Sequence, residues 1–280
     1  MCSSREPSLS LCLACVLAAV LLLSSSCSGM GVGAEDGSGI DSSSGLLRVA
    51  AAADLQSLFP ELAAGFEEQQ RQNGKVKVEP IFSSSGNLFS QISNGAPFDL
   101  YLSADLRYAE RLADNGRVRK SNVFVYATGR LAVYATEDSL SLDSRDLSVV
   151  SDPRIRRVAI AHPDHAPYGR AAVETLRNSG LYDAVSSKLV LGESVMQAAQ
   201  FVESGAADLG IVALSLVKRS KARGKHWVVP KELHSPIVQG GAILAAEEPK
   251  ASVAKAFVDY LLGEEGQKLL RSYGFDPPHP

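Results

Sequence analysis

The sequence predicts an α/β protein of two lobes with mixed, largely parallel sheets, and three observations carry that prediction. Strand-like and helix-like runs alternate from Leu47 to the C-terminal end. Residues 46–280 are enough for two separate cores, at ~100–150 residues per domain. All four cysteines (Cys2, Cys12, Cys15, Cys27) precede that body, so its stability must come from packing and not from disulfides.

Each element follows from its own pattern. LLRVAAAA (46–53) is an apolar run suited to a strand, and Leu55, Leu58, Phe59, Leu62 and Phe66 then fall at helical spacing. KVKVEPIF (75–82) alternates as a strand does, and GNLFSQISNG (86–95) is a short helix closed by Gly95. FDLYLSAD (98–105) is a strand leading into the helix DLRYAERLADNG, with Ser103 the expected N-cap and Gly116 the stop. NVFVYATGRLAVYA (122–135) is a long β-rich run interrupted by Gly129. RRVAIAHP is a buried strand before the helix YGRAAVETLRNSG, and ESVMQAAQFVESG is a further helix. ADLGIVAL, HWVVP and GGAILAA are the remaining strands, and SVAKAFVDYLLGEEGQKLLRSYGF closes the chain with helices.

The N-terminal segment has another purpose. Arg5, the apolar run Leu9–Leu23 and the small residues Ser24–Cys27 have the layout of a secretory signal over residues 1–27. LSSSC resembles a bacterial lipoprotein cleavage site, so lipidation of Cys27 and attachment to a membrane are expected ahead of ordinary cleavage; Ser24 is the departure from that pattern. The Gly/Ser-rich residues 28–45 would then be a flexible tether. No later stretch reaches the ~18 apolar residues of a spanning helix. The net charge is −3 and no basic stripe stands out, so nucleic acid is not an expected partner. KRSKARGKH (218–226) is the one basic cluster and is expected to be a solvated loop.

Common enzyme signatures are absent: there is no phosphate loop, nucleophile elbow, HExxH or GxGxxG after a strand. AHPDH offers His162, Asp164 and His165, which a rigid proline-flanked loop explains better than a metal site. Four predicted strand-to-helix junctions share one logic: AAAADL (50–55), SSSGN (83–87), HAPYGR (165–170) and LGESVMQ (191–197). A helix start presents unpaired N–H groups and the positive end of its dipole, and so holds anions without a cationic side chain. Ser84 and Ser85 add hydroxyls, and Gly86 permits close backbone approach. Singly, each junction is equally well explained as an ordinary cap.

At these residues the chain resembles the periplasmic molybdate-binding proteins of ABC transporters, the ModA family. The likeness runs from about Leu47 to Phe275 through VAAAADL, FSSSGNLFSQISNGAPFDLYLSAD, HPDHAPYGRAA, ADLGIVALS, WVVPKELHSPIVQGGAIL and FVDYLLGEEGQKLLRSYGF. It implies the two-lobed periplasmic-binding-protein fold, with residues 46–128 and 239–280 in lobe one, 129–238 in lobe two and a two-strand hinge between them. It also implies a monomer that captures molybdate or tungstate, passes it to an ABC permease, and has neither catalytic residues nor a cofactor. The ligand contacts it implies are Ala53, Asp54, Ser84, Ser85, Tyr168 and Val195, with no side chain on a metal ion directly.

Two positions depart from the family pattern. Asp54 stands where many members have serine, and its carboxylate either turns away to cap its own helix or faces the ligand, which would bring in phosphate. Ala213 stands where some members supply a tyrosine hydroxyl, and Tyr168 is the expected substitute. Arg170 is expected to face solvent. Phosphate or sulfate capture remains the alternative ligand reading, and an enzyme using His162 or His165 as base the alternative class.

Overall fold

The computed structural model describes residues 45–72, 74–136, 147–218 and 224–278. The signal, Cys27, residues 28–44 of the tether and residues 219–223 of the basic cluster lie outside them. The described residues belong to one compact unit, Ile40–Pro280. Along the chain come β1 (Leu46–Ala52), α1 (Phe59–Gln70), β2 (Lys77–Ser83), α2 (Ser85–Ser93), β3 (Leu100–Ser103), α3 (Leu106–Asp114) and β4 (Val123–Gly129). Then follow β5 (Leu131–Thr136), β6 (Val158–Ala161), α4 (Pro167–Asn178), α5 (Tyr182–Val185), β7 (Leu189–Gly192) and α6 (Val195–Glu203). The last are β8 (Leu209–Ala213), α7 (Leu214–Val217), β9 (Gly224–Val228), β10 (Ile237–Ile243), α8 (Lys250–Leu262) and α9 (Glu264–Ser272).

The strands form two five-stranded sheets, ordered β2-β1-β3-β10-β4 and β7-β6-β8-β5-β9. In the first, β1 is parallel to β2 and β3, while β10 runs antiparallel to β3 and β4. In the second, β6 is parallel to β7 and β8, while β5 runs antiparallel to β8 and β9. Every residue of β3, β6 and β8 is buried, as expected of strands with helices on both faces. The edge strand β2 instead exposes Lys77, Glu79 and Ile81.

Each sheet has its own core. Phe59 and Phe66 of α1 pack on Phe257 of α8, with ring centroids 6.2 and 5.0 Å apart, over the first sheet. Val133, Ile160, Ile211 and Leu176 are among the buried residues of the second. The β-rich run 122–135 splits at Arg130: Gly129 still pairs with Ile237 in the first sheet, and Leu131 already pairs with Ala213 in the second. The return passes between Val229, whose N–H reaches Leu131 O, and Ile237, so Gly129, Ile237 and Val238 lie with the first sheet.

One cap differs from expectation. Asp105, not Ser103, caps α3, its Oδ1 accepting from Arg107 N–H at 3.0 Å. Ser103 Oγ instead closes a small loop, accepting from Asp105 N–H and donating to Asp105 O. The helix begins two residues later than a cap at Ser103 would place it, because the Asp105 carboxylate reaches the first-turn N–H of Arg107.

Candidate functional site

Parallel pairing makes β1 and β2 end side by side, and β6 and β7 likewise, so the loops that follow collect where ligands bind in such sheets. One cavity lies there, lined by all six residues picked from the sequence, Ala53, Asp54, Ser84, Ser85, Tyr168 and Val195. Ala52, Ala104, Ala166 and Pro167 complete the lining. The cavity volume is about 10 Å³, on the order of one water-sized sphere. With the lobes as they stand, that space leaves no room for a sugar, peptide or nucleotide.

The donors come from helix starts. Ser84 is the N-cap of α2, accepting from Asn87 N–H at 3.4 Å. Ser85 Oγ accepts from Ala104 N–H at 2.9 Å, which orients the hydroxyl and leaves its proton to donate. Pro167 occupies the first turn of α4, where its missing N–H costs nothing, and Tyr168 supplies the next N–H. Ser194 caps α6 by accepting from Gln197 N–H at 3.3 Å, and Val195 opens that helix with its N–H in the unpaired first turn. Asp54 and Tyr168 are the only ionisable side chains among the described residues lining the cavity.

Asp54 does not cap a helix. It sits in a 3-10 turn, Ala53–Leu55, that no side chain caps, and α1 begins only at Phe59. Its side chain is fully buried, with both carboxylate oxygens unpartnered. Burial pushes its pKa up to about 7. The Tyr168 hydroxyl, the Gln239 amide and the N–H groups of Asp54 and Leu55 lie near enough to oppose that rise, but none makes a hydrogen bond of good geometry. Behind Asp54 runs a buried polar chain. Tyr126 Oη donates to Gln239 Oε1 at 2.9 Å, and Gln239 Nε2 donates to Tyr168 Oη at 3.3 Å. Burial, and then the Asp54 charge, hold the Tyr168 hydroxyl well above its usual pKa, so it remains a neutral donor.

The two sheets' loops touch directly across the cavity. Gly86 N–H donates to His165 O at 2.9 Å, and Ser84 Oγ lies 2.9 Å from His165 Nδ1. Ser215 Oγ of α7 donates to Asp54 O at 2.7 Å. Arg170 is only a third exposed: its Nη2 donates to Asp105 Oδ2 at 2.5 Å and its Nη1 to Tyr108 Oη at 3.4 Å, joining α4 to α3. The expectation failed because helical spacing places Arg170 on a face without revealing that the other lobe covers it.

Sequence reasoning missed Gln239 and Tyr126, which sit in strands without any local motif, and the bridging role of His165. His165 stacks on His162 with centroids 4.8 Å apart, and its Nε2 lies 3.5 Å from Glu193 Oε2. Among the described residues no group of three or more His, Cys, Asp or Glu side chains is placed to hold a metal ion.

Comparison with known proteins agrees with this architecture. Residues 47–276 match the family of bacterial extracellular solute-binding proteins. The molybdate-binding protein ModA of Azotobacter vinelandii is 37% identical over 231 residues, covering 82% of this chain and 89% of that protein. ModA of Rhodobacter capsulatus is 34% identical over 238 residues, covering 82% and 91%. The solved periplasmic molybdate-binding protein of A. vinelandii superposes with a TM-score of 0.75 at 30% identity, over 83% of this chain and all of that one. The chain belongs to the bacterial extracellular solute-binding protein family.

Proposed function

We propose that this protein captures molybdate, and equally tungstate, outside the cytoplasm and delivers it to an ABC permease. The cavity carries the reading. It is compact, and its donors are neutral N–H and O–H groups from helix starts on both lobes. Molybdate is fully ionised at neutral pH and offers acceptors only, which is what such donors satisfy. The ModA relatives, named for molybdate binding, support the same ligand.

The protein acts by binding alone. Ser84 and His165 stand at nucleophile–base distance, but Ser84 is 3% exposed and already caps α2. Closure brings Gly86, Ser84, Asp105 and Asp54 of one lobe against His165, Arg170 and Ser215 of the other. These contacts belong to the closed state, so the ligand selects that state by completing it. Lipidation at Cys27 would hold a monomer at the membrane beside its permease, and the mass of the mature N-terminus tests it.

Titration calorimetry of the tag-free mature protein with molybdate, tungstate, sulfate and phosphate tests the ligand. Molybdate and tungstate are expected to bind alike and tightest. Tighter phosphate binding would replace molybdate with phosphate as the ligand. That second reading rests on Asp54, whose carboxylate inside the cavity could accept the proton of hydrogen phosphate.

A further inference from the structure

The buried carboxyl of Asp54 is the one group in the cavity that opposes an anion. It is 0% exposed, it lines the cavity, and neither oxygen has a hydrogen-bond partner. No lysine, arginine or histidine lines the cavity among the described residues, so an ionised Asp54 would meet a dianion with only neutral donors, and no cationic side chain of the lining, to offset the repulsion. A protonated Asp54 removes that repulsion and adds one more O–H donor to the residues lining the cavity.

We propose that Asp54 makes capture proton-coupled: the closed site takes up one proton with each fully ionised tetrahedral oxyanion, and that proton resides on the Asp54 carboxyl, which donates it to a ligand oxygen. The inference rests on the oxyanion reading above and sharpens it, by assigning the site's charge selectivity to one residue. The step is an acid–base equilibrium. A carboxylate and a proton from solvent give a carboxylic acid hydrogen-bonded to the bound dianion, and no covalent bond to the ligand forms or breaks.

The surroundings favour this assignment. The titratable groups facing Asp54 are Tyr168 on α4 and Tyr126 on β4, and burial keeps both hydroxyls neutral. On the elements packed against its turn, Glu203 at the end of α6 acts on Tyr134, and Lys218 after α7 donates to Arg271 O at 3.3 Å. His165, across the cavity, is engaged by Ser84 and Glu193. Burial outweighs the nearby Tyr168, Gln239 and backbone donors and brings the Asp54 pKa up to about 7, and a dianion beside it acts in the same direction as burial.

The test is calorimetric titration of sodium molybdate into the mature protein at pH 6, 7 and 8, each in two buffers of different ionisation enthalpy. The expected result is uptake approaching one proton per ion at pH 8 and clearly less at pH 6, with apparent Kd rising about tenfold per pH unit above the midpoint. Asp54→Asn keeps a neutral donor of the same shape, and is expected to bind molybdate with no proton uptake and a flat pH profile. Wild-type heats that do not depend on buffer, or an Asp54→Asn protein with undiminished uptake, overturn the proposal while leaving molybdate as the ligand. Absence of molybdate binding at every pH overturns the oxyanion reading and this proposal together. Should Asp54→Asn fail to fold, the wild-type uptake decides alone.

Discussion

Ser84 and His165 belong to different lobes, yet Ser84 Oγ lies 2.9 Å from His165 Nδ1 directly beside the cavity. Ser84 is therefore at once the cap of α2, a cavity wall and one half of a bridge between lobes. Replacing His165 by alanine removes the bridge but leaves both lobes and the Gly86-to-His165 backbone bond in place. A single hydrogen bond of this kind is worth ~1 kcal/mol, so molybdate affinity should fall roughly fivefold. Calorimetry reads the change, and the melting temperature of the ligand-free protein should hardly move.

Gly86 tests closure itself. A methyl group there would lie 2.7 Å from His165 O and 2.8 Å from His165 Cβ, and backbone cannot yield as a flexible side chain can. Gly86→Ala is expected to lower molybdate affinity about fivefold or more, since overpacking costs ~1–3 kcal/mol. Alanine suits a helix start, so the ligand-free protein should melt no lower than wild type. Unchanged affinity would show that binding does not require the lobes to meet here.

Asp54 also links stability to pH. Its folded pKa is raised from 3.8 to about 7, so the folded state holds a proton that the unfolded state releases. The stability this contributes is complete below pH 3.8 and is lost as pH rises to about 7, and the total is on the order of 4 kcal/mol. Asp54→Asn carries no such charge, so its melting temperature should exceed that of wild type by several degrees at pH 8 and match it near pH 4. Equal pH profiles in thermal melts would mean that the carboxylate finds compensation on ionising.

Arg170 and Asp105 separate closure from folding. Asp105 caps α3 and pairs with Arg107 as well as Arg170, so Asp105→Ala should cost ~1–2 kcal/mol of stability, visible in urea unfolding. Arg170→Met removes only the contact between lobes, about a third exposed on the arginine side. It should weaken molybdate binding by under about 1 kcal/mol, with the difference shrinking in high salt.

Most of the order of strands and helices was legible in the chain, the short elements α5, β7 and α7 excepted, and so were the loops that wall the cavity. Strand alternation and helical spacing are local signals, and helix starts carry recognisable caps such as Ser84 and Ser194. Junction pattern marked the loops and the hydroxyls of Ser84 and Ser85, whereas Ala53, Asp54, Tyr168 and Val195 were named through the family resemblance, and the structure places all six around one cavity. What those junctions do to one another depends on long-range packing. Gln239 and Tyr126 are strand residues without a motif, and they reach the site because β10 and β4 pair across more than a hundred residues of chain. Arg170 and His165 became bridges only when the second lobe was laid against the first. The orientation of Asp54 was open for the same reason: capping is a local option, whereas burial without a partner is imposed by both lobes together. Local pattern reports what a segment prefers, and the charge state of a buried carboxyl depends on everything that surrounds it.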